Sequence, residues 1–154
     1  MRRGWRLWRR RYAAGAFDGE GARRYGGRWN PPGVRVVYAS ESISLAALEA
    51  LVHVDPTEAP DDLVVIPVDV PDRVVVAEIT LRILPGDWRA SPAPPRLQNL
   101  GADWVRAGKT AILSVPSVVV PEERNYLFNP AHPDFVRVKR GRPKAFSLDP
   151  RLFG

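Results

Sequence analysis

Sixteen prolines in 154 residues, about twice ordinary usage, constrain what this chain can fold into more than any other feature. Each removes a backbone donor, fixes its own φ and biases the residue before it away from the helical region. They fall mostly between apolar runs, so the expectation is many short elements joined by rigid turns. The length suits one domain, residues 1–154, with a single well-buried core. No run approaches the roughly 20 apolar residues that a membrane span needs. The basic N-terminus leads into no apolar stretch of the secretory-signal kind. Cysteine is absent, which excludes disulfides, zinc–thiolate sites and a cysteine nucleophile, and fits a cytoplasmic protein.

Between the prolines the pattern is mostly β. Val34–Ala39 predicts a strand, and Ser42 is placed to cap a helix over Ile43–His53. Leu45, Leu48, Leu51 and Val52 line one side of that helix and three alanines fill most of the rest, a composition expected to be buried. Glu49 stands among them, about 40° from Leu45 around the axis. A carboxylate there needs a partner or a purpose. Leu63–Val70 and Arg73–Leu81 predict two further strands, and Gln98–Ala107 a short helix ended by Gly108. Thr110–Ser114 and Val118–Val120 predict short strands interrupted by Pro116-Ser117, and Phe135–Val138 another. Many strands with two helices, not alternating βαβ units, point to an α+β fold.

The segment Gly26-Gly27-Arg28-Trp29-Asn30-Pro31-Pro32-Gly33 is the densest in chemistry. Two glycines let the backbone turn tightly, and they precede a guanidinium, an indole and an amide, groups that pair phosphate, stack a ring and make directional hydrogen bonds. The structural alternative is an Arg–Trp stack bracing a loop. Net charge is +6, with arginine at positions 2, 3, 6, 9, 10 and 11. Such a surface attracts nucleic acid, an acidic protein or a phosphorylated ligand, or is simply solvated. No helix-turn-helix, zinc-finger or RNP pattern accompanies it.

Tyr38, Glu49 and Ser117 join Arg28, Trp29 and Asn30 as candidates. Alone, each has an ordinary structural use: Tyr38 as a core aromatic, Ser117 as a turn residue, Glu49 in an internal ion pair. His53 and His132 lack ligand spacing, so no metal site is expected. Ser117 lies in Pro-Ser-Val-Val rather than a Gly-x-Ser-x-Gly elbow, and Gly15, Gly19 and Gly21 follow no apolar strand of the Rossmann kind. An Arg, Tyr, Glu and Ser set suits a phosphorylated, sugar-containing ligand, with arginine on a diphosphate and a carboxylate facing a cationic sugar.

These pieces together resemble the RES-domain toxins, the effector half of Xre–RES toxin–antitoxin pairs. The resemblance runs through Trp5-Arg6, Ala16–Ala22, Gly26–Asn30, Val37–Ser40, Ala46–His53, Val115–Ser117 and Asn125–Pro130, nearly the whole chain. It implies a fold related to the ADP-ribosyltransferases and an enzyme that consumes NAD by cleaving the nicotinamide–ribose bond, through hydrolysis or phosphorolysis. The alternative it implies is ADP-ribosylation of a protein target. The Arg, Glu and Ser for which the family is named fall on Arg28, Glu49 and Ser117. Arg6, Arg28, Trp29, Tyr38 and Asn129 match the NAD-contacting set, and Trp5 stands where a tyrosine is common. The resemblance implies NAD as substrate without metal, and a cognate Xre-family antitoxin as partner, with nucleic acid reached only through it. A basic nucleic-acid-binding growth inhibitor is the reading from a different class, supported by the N-terminal arginines alone.

Overall fold

In the computed structural model, which describes residues 1–153, the arginine-rich N-terminus is a strand, β1 (Arg2–Arg9), inside the sheet. Its charges are matched across the ladder. Arg3 lies opposite Asp69 and donates to both carboxylate oxygens, at 2.6 and 3.0 Å. Arg9 and Arg11 both pair with Asp62. Arg2 lies over the Tyr126 ring and Arg6 over Trp8, with its guanidinium carbon 3.9 Å from the ring centre. A segment that sequence reading left as a basic face is therefore a strand, because partners distant in sequence take up its guanidiniums.

The chain continues through α1 (Glu20–Tyr25), β2 (Val37–Ser40), α2 (Ile43–Leu51), β3 (Leu63–Val70), β4 (Val76–Glu78), α3 (Pro95–Ala107), β5 (Ile112–Pro116), β6 (Arg124–Phe128), β7 (Lys139–Arg140) and β8 (Lys144–Ala145). The strands form one sheet in the order β4-β5-β6-β2-β1-β3-β7, with β8 also on β3. Only β4 and β5 run parallel. This is the expected α+β architecture of short strands and few helices. Alternation along the strands sends side chains into two cores. Val37, Ala39, Val64, Ile66, Val68, Tyr126 and Phe128 fill one, and Trp29, Trp88, Leu97, Leu113, Val115 and Leu127 the other.

Several boundaries move from expectation. Ser42 caps α2 as expected, its Oγ accepting from the Leu45 N–H at 3.0 Å, but the helix ends at Leu51 and leaves Leu48 and Val52 exposed. The strand expected over Arg73–Leu81 shrinks to β4, followed by a 3-10 turn at Leu81–Ile83. Val118–Val120 is no strand, because Ser117 Oγ captures the Val119 and Val120 amides and turns the chain. Phe135–Val138 lies mostly in a 3-10 turn, Pro133–Arg137. It begins at proline, is capped by His132 Nδ1, and packs Phe135 edge-on against Phe128. α1, β6, β7 and β8 have no counterpart among the elements that the sequence predicts.

Two contacts decide where the sheet opens. β2 pairs with β1 at one register position only, Trp5 opposite Ser40, whereas β1 and β3 pair along all eight residues. Where the ladder is missing, Arg6 bridges, donating to the Tyr38 carbonyl at 2.7 Å and to the Ala16 carbonyl at 2.5 Å. The second contact sits on α3. A Cβ at Gly101 would lie 1.6 Å from the Trp29 carbonyl oxygen, so only glycine lets the Gly26–Asn30 loop rest on that helix.

Candidate active site

The parting of β1 from β2 opens a cleft of about 640 Å³. Arg6 and Trp8 come to it from β1, Tyr38 from β2, Glu49 from α2 and Arg28 from the glycine loop. The volume is in the range of small-molecule and cofactor pockets.

The loop is rigid for reasons its sequence does not announce. Asn30 is fully buried; its Nδ2 donates to the carbonyls of Ala22, Pro31 and Val34, and its Oδ1 accepts from Tyr38 Oη at 2.6 Å. Tyr38 Oη in turn accepts the Trp29 N–H at 3.2 Å. Burial pushes the Tyr38 phenol well above its usual range, opposed by the Trp29 amide and the Arg28 charge, so it remains a donor. Gly27 passes beneath this group, where a Cβ would meet Tyr38 Oη at 2.8 Å. Trp29 is buried in the second core. The Asn30 amide is thus spent on the loop itself, whereas the Trp29 indole packs in the second core and also lines the cleft. Arg28 is the member of the triplet left with a guanidinium at the cleft.

Arg28 donates from Nη1 to the carbonyls of Trp88 and Ala90, at 3.0 and 2.9 Å. Burial lowers its pKa, against the opposing pull of Glu49 and Tyr38. Arg6 is pulled down to about 10 by burial, with Asp18 acting the other way, and so remains charged at neutral pH. Among the described residues, neither guanidinium has a carboxylate within salt-bridge distance. Two uncompensated cations in one cleft favour an anionic ligand.

Glu49 is the cleft's one carboxylate. Its Oε1 accepts from Ser117 Oγ at 2.6 Å and from Asn125 Nδ2 at 2.7 Å, and its Oε2 accepts no hydrogen bond among the described residues. Among the described residues Glu49 forms no ion pair with an arginine, the pairing its sequence position allows. Ser117 is fully buried and saturated, giving its proton to Glu49 and taking two backbone amides on its lone pairs. It reaches the cleft through Glu49, leaving no hydroxyl capacity for a ligand.

Arg6, Arg28, Trp29, Tyr38 and Glu49 therefore share one cleft, and Ser117 stands directly behind it. Asn129 does not join them. It lies just past the end of β6, where its N–H donates to the Ala111 carbonyl and its Oδ1 accepts from Ala131 N–H, an Asx turn. The asparagine at the cleft is Asn125, four residues earlier and about 13 Å back along the strand direction. Both lie in the tract Asn125–Pro130, and only the register of β6 against β2, with Asn125 opposite Ser40, separates them. No cluster of three or more His, Cys, Asp or Glu suited to a metal occurs among the described residues. No helix among them is long and apolar enough to cross a membrane.

A family model described as the RES domain matches residues 3–149. A "Prs ADP-ribosylating toxin" of Sphingobium sp. (strain YBL2) is 43% identical over 145 residues, covering 93% of this chain and 90% of that protein. A "Toxin Res" of Yersinia enterocolitica is 36% identical over 149 residues, covering 96% of this chain and 97% of its own. A chain from the crystal structure of the M. tuberculosis MbcT–MbcA toxin–antitoxin complex aligns with a TM-score of 0.73 at 19% identity, over 99% of this chain and 86% of that one. That likeness is one of fold.

Proposed function

Because the chain belongs to the RES domain family, we propose that it is the toxin of a toxin–antitoxin pair and that it cleaves the nicotinamide–ribose bond of NAD in the cytoplasm. The observation that carries this reading is Glu49, anchored through one oxygen and open at the other, in a cleft that Arg6 and Arg28 otherwise make positive. The relatives' names, "Toxin Res" and "Prs ADP-ribosylating toxin", support it.

The chemistry follows from charge. As the bond between the ribose C1′ and the pyridinium nitrogen breaks, its electron pair goes to the ring and neutralises it, and the sugar becomes oxocarbenium-like. Glu49 Oε2 stabilises that developing positive charge in place, without reorganisation at the moment of reaction. Arg28 and Arg6 hold the diphosphate through the N–H groups not given to carbonyls. The Tyr38 ring packs the nicotinamide. Ser117 holds Glu49 rather than the ligand, and Trp29 holds the loop that presents Arg28. The acceptor then adds to C1′ and releases its proton.

Water or phosphate as acceptor gives NAD depletion. A protein side chain gives ADP-ribosylation, a second reading favoured by the name of the Sphingobium relative. The nucleic-acid reading rests on the N-terminal arginines alone, and of these Arg2, Arg3, Arg9 and Arg11 already have partners within the fold. An Xre-family antitoxin is the partner this function implies. Incubating the purified protein with NAD, with and without phosphate, and identifying the products by mass tests the reading. Free nicotinamide with ADP-ribose or its phosphate ester is expected, and intact NAD under all conditions would overturn it.

A further inference from the structure

Among the polar groups lining the cleft, Asn125 is given no role of its own by the reaction above. Asn125 sits on β6 between Ser40 of β2 and Glu49 of α2. Ser40 Oγ donates to Asn125 Oδ1 at 2.7 Å, and Asn125 Nδ2 donates to Glu49 Oε1 at 2.7 Å. The Glu49 carboxylate only accepts and so takes the amide nitrogen, which leaves Asn125 Oδ1 to accept the Ser40 hydroxyl, and that second bond holds the amide in place. Ser40 is buried, and it lies directly across the ladder from Asn125.

From this network we infer that Asn125 is a positioning residue for Glu49, oriented by Ser40, and that the pair determines which carboxylate oxygen meets the substrate. The inference rests on the NAD-cleaving reading given above. A glutamate on a helix has three freely turning side-chain bonds, and a single contact from Ser117 leaves its plane free to rotate. A second donor on the same oxygen, from a neighbouring strand, fixes that plane and leaves Oε2 as the only oxygen available to a sugar. The titratable groups lining the cleft around Glu49 are Arg28 from the loop, Arg6 from β1, Tyr25 from the end of α1, Tyr38 from β2 and His53 beyond the end of α2. Ser117 and Asn125, its partners from the β5 and β6 side, are uncharged.

Replacing the amide by its isosteric acid gives a readout that a merely structural role does not move. Asn125→Asp puts a second carboxylate within hydrogen-bond distance of Glu49, and two such groups share a proton. The acid limb of kcat/KM for NAD cleavage is then expected to move up by at least about one pH unit. Asn125→Ala is expected to lower kcat by on the order of 10–100-fold with little change in KM, as for a displaced reacting group. Wild-type NAD turnover alongside an Asn125→Asp profile that superimposes on it, with kcat of Asn125→Ala unchanged, would overturn the inference and leave the functional reading standing. A wild-type protein inert toward NAD overturns the reading, and this inference with it. Should Asn125→Asp fail to fold, Ser40→Ala and Ser40→Thr decide. The first is expected to lower kcat about three- to tenfold at constant KM, the second to restore it by keeping the donor. Full activity in Ser40→Ala would then overturn the role.

Discussion

Ser117 and Glu49, 68 residues apart in sequence, meet at 2.6 Å, with the serine hydroxyl donating and the carboxylate accepting. The same hydroxyl ends β5 by capturing the amides of Val119 and Val120, so the turn of the chain and the aim of the carboxylate depend on one oxygen. Ser117→Ala is expected to lower kcat by about 10–100-fold while KM for NAD stays within about threefold, because the hydroxyl's bonds are all taken up within the fold. Two orphaned amides should cost the fold about 1–3 kcal/mol. Steady-state kinetics beside a denaturant melt checks both. A raised KM at unchanged kcat would assign Ser117 to the ligand instead.

Glu49→Gln separates charge from architecture. The amide keeps an oxygen for Ser117 and Asn125, so the melting temperature should stay close to wild type. Loss of the negative charge at the sugar should lower turnover by about 10²–10³. NAD affinity, measured separately by calorimetry, should hold. A variant that melts early yet turns over NAD normally when folded would reject the catalytic role.

Arg28→Ala should abolish NAD turnover and growth inhibition while the protein remains folded. Its guanidinium bonds two carbonyls, at Trp88 and Ala90, so the expected loss of stability is bounded at about 1–3 kcal/mol. Arg28→Lys restores charge without the planar fork and should bind NAD less tightly than wild type. Equal NAD consumption by wild type and the alanine variant, both shown folded by circular dichroism, would sink the assignment.

Tyr38→Phe should behave oppositely. It keeps the ring at the cleft but removes the hydroxyl that bridges Asn30 Oδ1 and the Trp29 amide, leaving two buried groups unsatisfied. Stability should fall by about 1–3 kcal/mol for each of the two, while kcat of the folded protein stays within about threefold. A large loss of kcat without loss of stability would move the hydroxyl from the loop to the chemistry.

The β1–β3 ladder should be acid-sensitive. The hydrogen bond from Arg3 holds the Asp69 carboxyl below its ordinary range, against some desolvation. A carboxylate whose folded pKa is depressed contributes stability above its unfolded pKa, near 4, and that contribution is lost as pH falls through the lower folded value. The melting temperature of Asp69→Asn relative to wild type should therefore be lower at pH 6 and converge with it toward pH 2–3. A constant difference across that range would show that the pair contributes nothing through charge.

Local chemistry was legible in the sequence where it acts locally. The Ser42 cap, the Gly108 stop of α3, β3 and the α+β class all follow from residue types and spacing within a few positions, because caps, turns and alternation are short-range physics. The resemblance carried Arg28, Glu49 and Ser117, and with them the family. Tertiary structure decided what those residues touch. β1 hid behind its arginines because Asp62, Asp69 and Tyr126, which take up those charges, are more than 50 residues away. Asn30 reads as a ligand contact because nothing near it in sequence shows Tyr38 bonding its amide, and the seat of its loop is equally hidden, since Gly101, which makes room for the Trp29 carbonyl, lies about 70 residues on. Asn125 and Asn129 are equivalent by type, and only strand register brings one to Glu49 and sends the other into an Asx turn. Side-chain type sets what a group can do, and the partner across the sheet, invisible to spacing, sets whether it is free to do it.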